Sequence, residues 1–245
     1  MEQFQPLANT APNTFLRKIK FYGRMVLDLQ ILTIFRDIKK VVPTFNGNIL
    51  DVGCGDSPYR FLLNKEQTSY FGIDIVDASK FDYSNKDITP FNGEDIPFEN
   101  EKFDAVICTE VLEHVEKYQK LTDELFRVMK KGAKGIITIP WSARYHYIPW
   151  DYFRYTPSSL RTIFSSFEEV KIKARGTDVA TIASKIIVLF FRNLLPKQLW
   201  KWILVPIWIL LSPMLILTVC IAHIALWLNL GTEEDPLGYT IIIEK

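Results

Sequence analysis

Hydrophobic and polar positions along the chain predict strands that alternate with helices. Short apolar runs typical of buried strands occur in NGNILDV, YFGIDIV, FDAVICTE and GAKGIITIP, and two later strands are predicted in EEVKIKAR and GYTIIIEK. Helical spacing occurs in EVLEHVEKYQKLTDELFRVMKK and in SSLRTIFSSF. Because the early strands are almost entirely apolar, this order predicts an α/β fold with a parallel sheet covered on both faces.

The first 42 residues are predicted to form a mobile polar tail, residues 1–14, followed by one amphipathic helix over residues 15–42. The tail has no apolar segment of the kind found in signal peptides, which favours a cytoplasmic protein. The first half of the helix carries basic side chains at Arg17, Lys18, Lys20 and Arg24. Such a helix can rest on an anionic membrane surface; the alternative is a helix that packs on the domain and exposes its basic face.

Composition and charge narrow the class of protein. The chain is 48% hydrophobic and 23% charged, which excludes intrinsic disorder, and a net charge of +1 gives no indication of a nucleic-acid partner. The three cysteines lie far apart and lack the spacing of metal ligands, which is typical of a reducing compartment. With only three histidines in the chain, no metal site is predicted.

The predicted first strand ends in a glycine turn that can hold a ligand. Asp51, Gly53 and Gly55 lie in ILDVGCGDSPYR, where glycines let the backbone approach a bound molecule closely. A dinucleotide fingerprint requires a third glycine three residues later, where this chain has Pro58. Asp74 ends the second strand and can accept hydrogen bonds from both ribose hydroxyls; the alternative is an aspartate that only caps a turn.

Taken together, these motifs resemble the class I S-adenosylmethionine-dependent methyltransferases over residues 49–175. The resemblance is carried by ILDVGCG, YFGIDIV, NGEDIPFENEKFDAVICTEVLEHV, FRVMKKGAKGIITIP and DYFRYTPSSLRTIF, in the order and spacing of that family. The chain is most similar to a bacterial branch found among cell-surface polysaccharide genes. The resemblance implies a doubly wound, mostly parallel, seven-stranded Rossmann-like sheet and S-adenosyl-L-methionine as cofactor.

The resemblance also implies a set of cofactor-binding residues. They are Asp51, Gly53, Cys54, Gly55, Asp74, Ile75, Asn92 and Thr109. Asn92 stands where many relatives have an aspartate that holds the adenine amino group. An amide oxygen can accept the same hydrogen bond without a charge, and Asp87 or Asp95 could replace it.

Two residues are predicted to be catalytic. The resemblance places Glu110 beside the sulfonium, and His146 is a candidate general base because imidazole titrates near neutral pH. Glu113 and His114 are predicted to lie with Glu110 at a helix start, where such residues are more often at the surface. Methyl transfer can also proceed largely by positioning of the acceptor.

The segment WSARYHYIPWDYFRYT is predicted to be a loop over the site of methyl transfer. Its predicted substrate-binding residues are Trp150, Asp151, Tyr152, Arg154 and Tyr155. The alternative is that Asp151 and Arg154 pair while the aromatic rings pack the loop.

In this family the last two strands form an antiparallel pair, so residues 176–237 are predicted to be a hydrophobic helical insertion between them. The methyltransferase domain then comprises residues 43–175 and 238–245. If both strands belong to one sheet, the insertion must leave and return on the same side of a membrane, so one crossing is excluded. Residues 202–232 carry no Asp, Glu, Lys or Arg but are too short for two spans of about 20 residues each. An in-plane or re-entrant membrane dock is expected; a soluble cap or a dimer interface is the alternative.

The leading hypothesis is an enzyme at the cytoplasmic face of the membrane that methylates a lipid-linked or amphipathic acceptor, at oxygen. Polysaccharide-linked lipids, quinones and small hydroxylated lipids all fit. Two rival hypotheses are a membrane-docked binding or scaffold protein without activity, favoured by Asn92, and an NAD-dependent oxidoreductase, which the missing third glycine disfavours.

Overall fold

A computed structural model describes residues 10–75 and 87–245 of the chain, so residues 1–9 of the predicted tail lie outside the described residues. The described residues contain one seven-stranded sheet with the strand order β3–β2–β1–β4–β5–β7–β6. The strands are β1 (Gly47–Val52), β2 (Thr68–Ile75), β3 (Ile88–Phe91), β4 (Phe103–Thr109), β5 (Met129–Pro140), β6 (Glu169–Arg175) and β7 (Gly238–Glu244). Strand β7 runs antiparallel to both of its neighbours, and the other pairs are parallel. The predicted mostly parallel sheet is confirmed.

Seven α-helices surround this sheet within the described residues. They are α1 (Phe15–Leu27), α2 (Leu29–Val41), α3 (Tyr118–Val128), α4 (Pro157–Ile163), α5 (Asp178–Leu194), α6 (Val205–Leu210) and α7 (Ser212–Leu228). The three last helices lie in the chain between β6 and β7.

The sheet is covered on both faces because successive side chains of a strand point to opposite sides. Leu50 and Val106 belong to a core that includes residues of α3 and α4. Ile49 and Ile107 belong to a second core, built with α1 and α2. A buried carboxylate fastens α2 to the sheet, since Asp37 accepts hydrogen bonds of 2.8 Å from both Lys173 Nζ and Thr240 Oγ1.

The N-terminal helical segment is two helices rather than the single helix predicted. Asp28 interrupts it with a non-helical backbone (φ −97°, ψ 88°), and its carboxylate accepts a hydrogen bond from the Ile31 amide, 3.2 Å away. Aspartate is favoured at this position because it satisfies an amide at the start of a helix. The same carboxylate pairs with Arg24 at 3.1 Å, which joins the two helices across the break.

Strand β3 was not predicted from the pattern of apolar positions. It is a short edge strand whose middle residues, Thr89 and Pro90, are exposed, so it shows no apolar run. Its identification depends on the pairing with β2, in which Asp74 lies opposite Pro90.

The helix predicted to start at EVLEHV begins later in the structure, so the predicted start is wrong. Helix α3 begins at Tyr118, and Glu110 has a left-handed backbone with φ of 54°, which an α-helix does not accept. Leu112–His114 form only a single 3₁₀ turn. Residues 110–117 are therefore a loop at the end of β4, and side chains predicted at a helix start lie in that loop.

The chain between β6 and β7 is largely helical and apolar, and two of its four prolines stand at helix starts. Pro206 and Pro213 occupy the first turns of α6 and α7, where a missing amide hydrogen costs little. Two hydrogen bonds of 3.0 Å join the ends of this segment where α5 starts. The Asp178 amide donates to the Thr232 carbonyl, and the Thr232 amide donates to Asp178 Oδ1.

None of the described helices is by itself long and apolar enough to cross a membrane. The helical stretches Asp178–Leu194 and Leu199–Leu210 satisfy the length and composition requirement only as a pair, which is bent by 111°.

Candidate active site

A cleft of about 1880 Å³ opens at the carboxyl edge of the sheet. Its floor is formed by residues at the carboxyl ends of β1, β2 and β4, which is where ligands bind in doubly wound folds. Helices α1, α2 and α5 and the loop after β5 form other parts of its wall.

The glycine turn after β1 requires its two glycines. Gly53 and Gly55 have φ of 63° and 51°, in the left-handed region, and a Cβ atom at Gly53 would collide with Val111. Both glycines line the cleft together with Cys54. Burial raises the pKa of the Cys54 thiol, so this side chain is neutral. The left-handed backbone at both positions, with Val111 packed against Gly53, restricts this turn to glycine.

Asp74 lies at the end of β2 and lines the cleft beside the glycine turn. Its Oδ2 accepts a hydrogen bond from the Gly55 amide at 2.7 Å, and its Oδ1 accepts one from the Ile75 amide at 2.8 Å. Burial raises the pKa of Asp74, and these two backbone hydrogen bonds oppose that rise. A carboxylate accepts up to about four hydrogen bonds, so the turn-capping role and the predicted ribose contact are compatible.

Asp51 is held beneath the turn rather than among the residues that line the cleft. Its Oδ2 lies 2.7 Å from the hydroxyl of Tyr70, which is itself 2.8 Å from Ser57 Oγ. Burial raises the pKa of Asp51 to about 7, although the hydrogen bond from Tyr70 acts in the opposite direction. The structure therefore places Asp51 where it supports the turn from below.

The remaining predicted cofactor residues, Ile75, Asn92 and Thr109, all line the cleft, but the side-chain oxygen of Asn92 is committed to its own turn. Asn92 Oδ1 accepts hydrogen bonds from the amides of Glu94 and Asp95, at 2.8 and 2.7 Å. Both lone pairs of this oxygen are then used, which disfavours the predicted contact with an adenine amino group. Asp87 and Asp95, the suggested replacements, are not among the lining residues.

Glu110 is held at the cleft by an arginine that the sequence analysis did not identify. Glu110 Oε1 lies 2.8 Å from Nη2 of Arg175, which is buried at the end of β6 and also donates to the Ile139 carbonyl at 2.8 Å. An arginine at the end of a strand with alternating polarity has the pattern of a solvated side chain, so the sequence contains no signal for this pair.

The loop after β5 is organised by one carboxylate. Asp151 receives a bidentate ion pair from Arg154, at 2.6 and 2.9 Å, and a hydrogen bond of 2.9 Å from the His146 amide. Burial raises the pKa of Asp151, but these hydrogen bonds outweigh burial and lower it below its usual value. Asp151 and Arg154 therefore shape the loop, as in the alternative considered for them, while Trp150 and Tyr152 line the cleft.

Tyr155 was predicted to bind substrate, but it does not line the cleft. It is buried in the core, and its hydroxyl donates to the Leu112 carbonyl at 3.0 Å. Its ring packs edge-on against Tyr118, so its contribution is to hold the loop on α3.

The structure brings Glu113, His114 and His146 together, although no metal site was predicted. Each can offer a ligand atom within 4.8 Å of the others. Burial lowers the pKa of His114 to about 4, so its imidazole is neutral. Burial and the neighbouring charge of Glu110 raise the pKa of Glu113 well above its usual value. Glu113 and His114 are neighbours in the chain, whereas His146 belongs to another segment, and no spacing rule connects it to the other two.

Comparison with known proteins agrees with this geometry. Residues 50–137, from β1 to β5, match the family model described as a methyltransferase domain. The uncharacterized protein MJ0638 of Methanocaldococcus jannaschii is 29% identical over 122 residues, which are 48% of this chain and 53% of that protein. The chain spans about half the length of the curated relatives it matches.

Two solved structures show the same fold. A methyltransferase dependent on S-adenosylmethionine (SAM) from Archaeoglobus fulgidus has a TM-score of 0.53 at 20% identity, covering 94% of this chain and 99% of its own. Phosphoethanolamine N-methyltransferase 2 of Haemonchus contortus, solved with phosphomonomethylethanolamine and S-adenosylhomocysteine, has a TM-score of 0.53 at 17% identity, covering 94% and 59%. Residues 50–137 therefore match a methyltransferase domain, and the described residues have the fold of these two enzymes.

The geometry of Asp74 generates a prediction about cofactor affinity. Replacing Asp74 by Ala should weaken S-adenosylmethionine binding at least tenfold, because two charge-assisted hydrogen bonds worth about 1.5–3 kcal/mol each are lost. Isothermal titration measures the change. Asp123→Ala, an exposed aspartate on α3, is the matched control and should leave the affinity unchanged. An unaltered dissociation constant in Asp74→Ala would reduce Asp74 to a turn residue.

The raised pKa of Asp51 predicts a pH-dependent stability. Because the folded state binds this proton more tightly than the unfolded state, the contribution is stabilising at low pH and is lost as pH rises from about 4 to about 7. The loss is on the order of 4 kcal/mol. Asp51→Asn should remove it, so urea unfolding of the cofactor-free protein at pH 5 and pH 8 should show a smaller difference for the variant. Parallel pH profiles for variant and wild type would contradict the assignment.

Proposed function

We propose that this chain transfers a methyl group from S-adenosylmethionine to an oxygen of an amphipathic or lipid-linked acceptor at a membrane surface. The resemblance to a branch found among cell-surface polysaccharide genes supports a role in the biosynthesis of such lipids or polysaccharides. Bound S-adenosylmethionine supplies an electrophilic methyl group; the chain supplies the cradle of Gly53 and Gly55 and the carboxylate of Asp74.

The observation that carries this proposal is the mixed chemistry of the cleft. One part of its wall is polar and includes Glu110, His114 and His146. Another part comes from helices outside the matched segment and is mostly apolar, although Arg24, Lys185 and Arg192 also line it. Its apolar residues are Leu27, Ile31 and Ile34 on α1 and α2 and Ile187, Val188, Leu189 and Phe191 on α5. A cleft with a polar end and an apolar wall suits an acceptor that has a polar head and an apolar body.

A large apolar surface is continuous with the wall of this cleft. We call it the apolar surface: the exposed hydrophobic side chains of α1 and of residues 199–230, among them Phe15, Leu199, Ile203, Leu210 and Trp227, each more than 70% exposed. His223 on α7 lies 2.9 Å from the Val26 carbonyl on α1, which joins the two parts. Apolar area of this extent on a soluble monomer is unusual and favours a binding surface.

Charge selects a membrane as the occupant of the apolar surface. Lys18 and Lys20 are exposed on α1, and Lys201 lies beside the Trp200 ring, 5.5 Å from its centre. Tryptophan and lysine together are typical of the boundary between lipid headgroups and acyl chains. The low charge of residues 202–232 permits partial burial of α6 and α7 below that boundary.

His146 is the side chain best placed to receive the proton of an acceptor hydroxyl. Its Nδ1 lies 2.9 Å from the Arg144 carbonyl and 3.1 Å from Asp151 Oδ2, so Nδ1 carries the hydrogen and Nε2 keeps its lone pair. Trp150 and Tyr152, which line the cleft beside it, can position the acceptor.

The function is tested by methyl transfer from radiolabelled S-adenosylmethionine to fractionated bacterial lipid extracts. We expect a labelled amphipathic product whose mass-spectrometric fragmentation locates the methyl group on oxygen. His146→Ala should lower turnover by about 10²–10⁴ with little change in cofactor affinity. Cofactor binding without transfer to any fraction would favour the scaffold hypothesis instead, and a methyl group on nitrogen or carbon would contradict the oxygen assignment.

Membrane docking is tested with vesicles of phosphatidylglycerol and phosphatidylcholine. Leu210→Ser and Trp227→Ser should each weaken vesicle binding at least tenfold, since burial of one large apolar side chain is worth about 1.5–3 kcal/mol. Thr218→Ser, on the same helix as Trp227, is the matched control and should bind as wild type does. Unchanged vesicle binding in both apolar variants would exclude the apolar surface as the dock.

A further inference from the structure

The polar end of the cleft contains a group of potential metal ligands that the proposed methyl transfer does not explain. We infer that Glu113, His114 and His146 bind a divalent transition-metal ion at this end. One ligand atom from each lies within 4.8 Å of the others, and the two histidines line the cleft while Glu113 lies in the protein interior.

Glu113 is the residue of this group whose side chain most requires a partner. Its side chain is fully buried, and neither carboxylate oxygen has a hydrogen-bond partner. Buried polar groups are satisfied in more than about 90% of cases, and an unpaired buried carboxylate is among the most costly exceptions. His114 Nε2, 3.6 Å from Glu113 Oε1, is buried and likewise has no partner.

The nearby cations are already committed elsewhere. Arg154 forms its bidentate pair with Asp151, and Arg175 pairs with Glu110. A bound cation would therefore be the positively charged partner that the Glu113 oxygens lack. The same ion would also satisfy His114 Nε2.

The outer hydrogen bonds of both histidines orient them as metal ligands. His114 Nδ1 lies 2.5 Å from the Trp150 carbonyl, which requires Nδ1 to donate and leaves Nε2 unprotonated. His146 Nδ1 faces the Arg144 carbonyl and Asp151, which leaves its Nε2 free as well. Metal-binding histidines are characteristically held in this way, with the second ring nitrogen donating to a carbonyl or carboxylate.

Two imidazoles and one carboxylate select the class of ion. This donor set is typical of zinc and of non-haem iron sites with open positions, whereas calcium and magnesium prefer ligand sets made of oxygen. Because Glu113 lies behind the histidines, the open coordination positions would face the cleft. Resting on the proposed transfer to oxygen, we assign those positions to an oxygen of the acceptor, which the ion would hold beside the cofactor cradle. With the ion bound, the Nε2 lone pair of His146 is used for coordination, so the ion would replace His146 as the group that makes the acceptor hydroxyl more acidic.

Titration with Co²⁺ tests the site without any assay of activity. Metal-stripped wild-type protein should bind one Co²⁺ per chain, with visible absorption that reports nitrogen coordination. His146→Ala should weaken binding more than about 100-fold, beyond the usual cost of losing an outer partner of a metal ligand. His223→Ala is the matched control, because it removes the one histidine outside the group, and it should bind Co²⁺ as wild type does. Glu113→Gln, nearly isosteric, provides a second ligand variant.

Several results would overturn the metal site. They are absence of Co²⁺ binding in folded wild-type protein, unchanged binding in His146→Ala and Glu113→Gln, and loss of binding in His223→Ala. Equal affinity for Mg²⁺ would overturn the assignment to a transition metal. Methyl transfer that is undiminished in chelator-treated enzyme would overturn the role toward the acceptor, whereas Co²⁺ binding in a chain that transfers no methyl group would contradict the proposed function and leave the site in place.

Discussion

The position of β7 is the constraint on which the rest of this structure depends. It is the last strand in the chain but lies inside the sheet, where it pairs along its length with β5 on one side and β6 on the other. Without it, β6 would have no place in the sheet. Its register places Gly238 opposite both Pro140 and Arg175, so the chain that leaves β6 must return to the point of its departure.

This return packs helices α5 and α7 against α2. Ala180, Ala183 and Ile187 of α5 form a common core with Leu29 of α2 and Ala222 of α7. The amide hydrogen bonds between Asp178 and Thr232 join the two ends of the segment between β6 and β7. A helical segment fastened at both ends to one sheet edge can wall the cleft, and α5 does so.

Arg175 connects this edge to the chemistry of the cleft. Its guanidinium reaches Glu110 after β4, the carbonyl of Ile139 on β5 and, at 3.4 Å, the carbonyl of Gln30 on α2. In the Arg175–Glu110 ion pair the arginine side chain is fully buried, so loss of either partner would leave an uncompensated charge. Glu110 itself has a left-handed backbone, as does Tyr147 across the cleft. Backbone strain of this kind persists where packing enforces it and is concentrated at functional sites.

Local pattern was sufficient for those features that depend on neighbours in the chain. The apolar runs of β1, β4 and β5 predict buried strands because their side chains are buried on both faces, and the glycine turn at Gly53 and Gly55 is recognisable because only glycine takes that backbone without strain. The return of β7 beside β6 follows from the resemblance to a known family, and the sheet order confirms it.

Contacts between distant segments decided the rest. The burial of Asp51, the use of Asn92 within its own turn, the withdrawal of Tyr155 into the core and the Glu110–Arg175 pair have no signature in sequence spacing. The meeting of Glu113 with His146 is of the same kind. Each depends on which backbone amide, carbonyl or charge the fold brings within about 3 Å, and that distance is set by packing of the whole sheet rather than by the residues on either side.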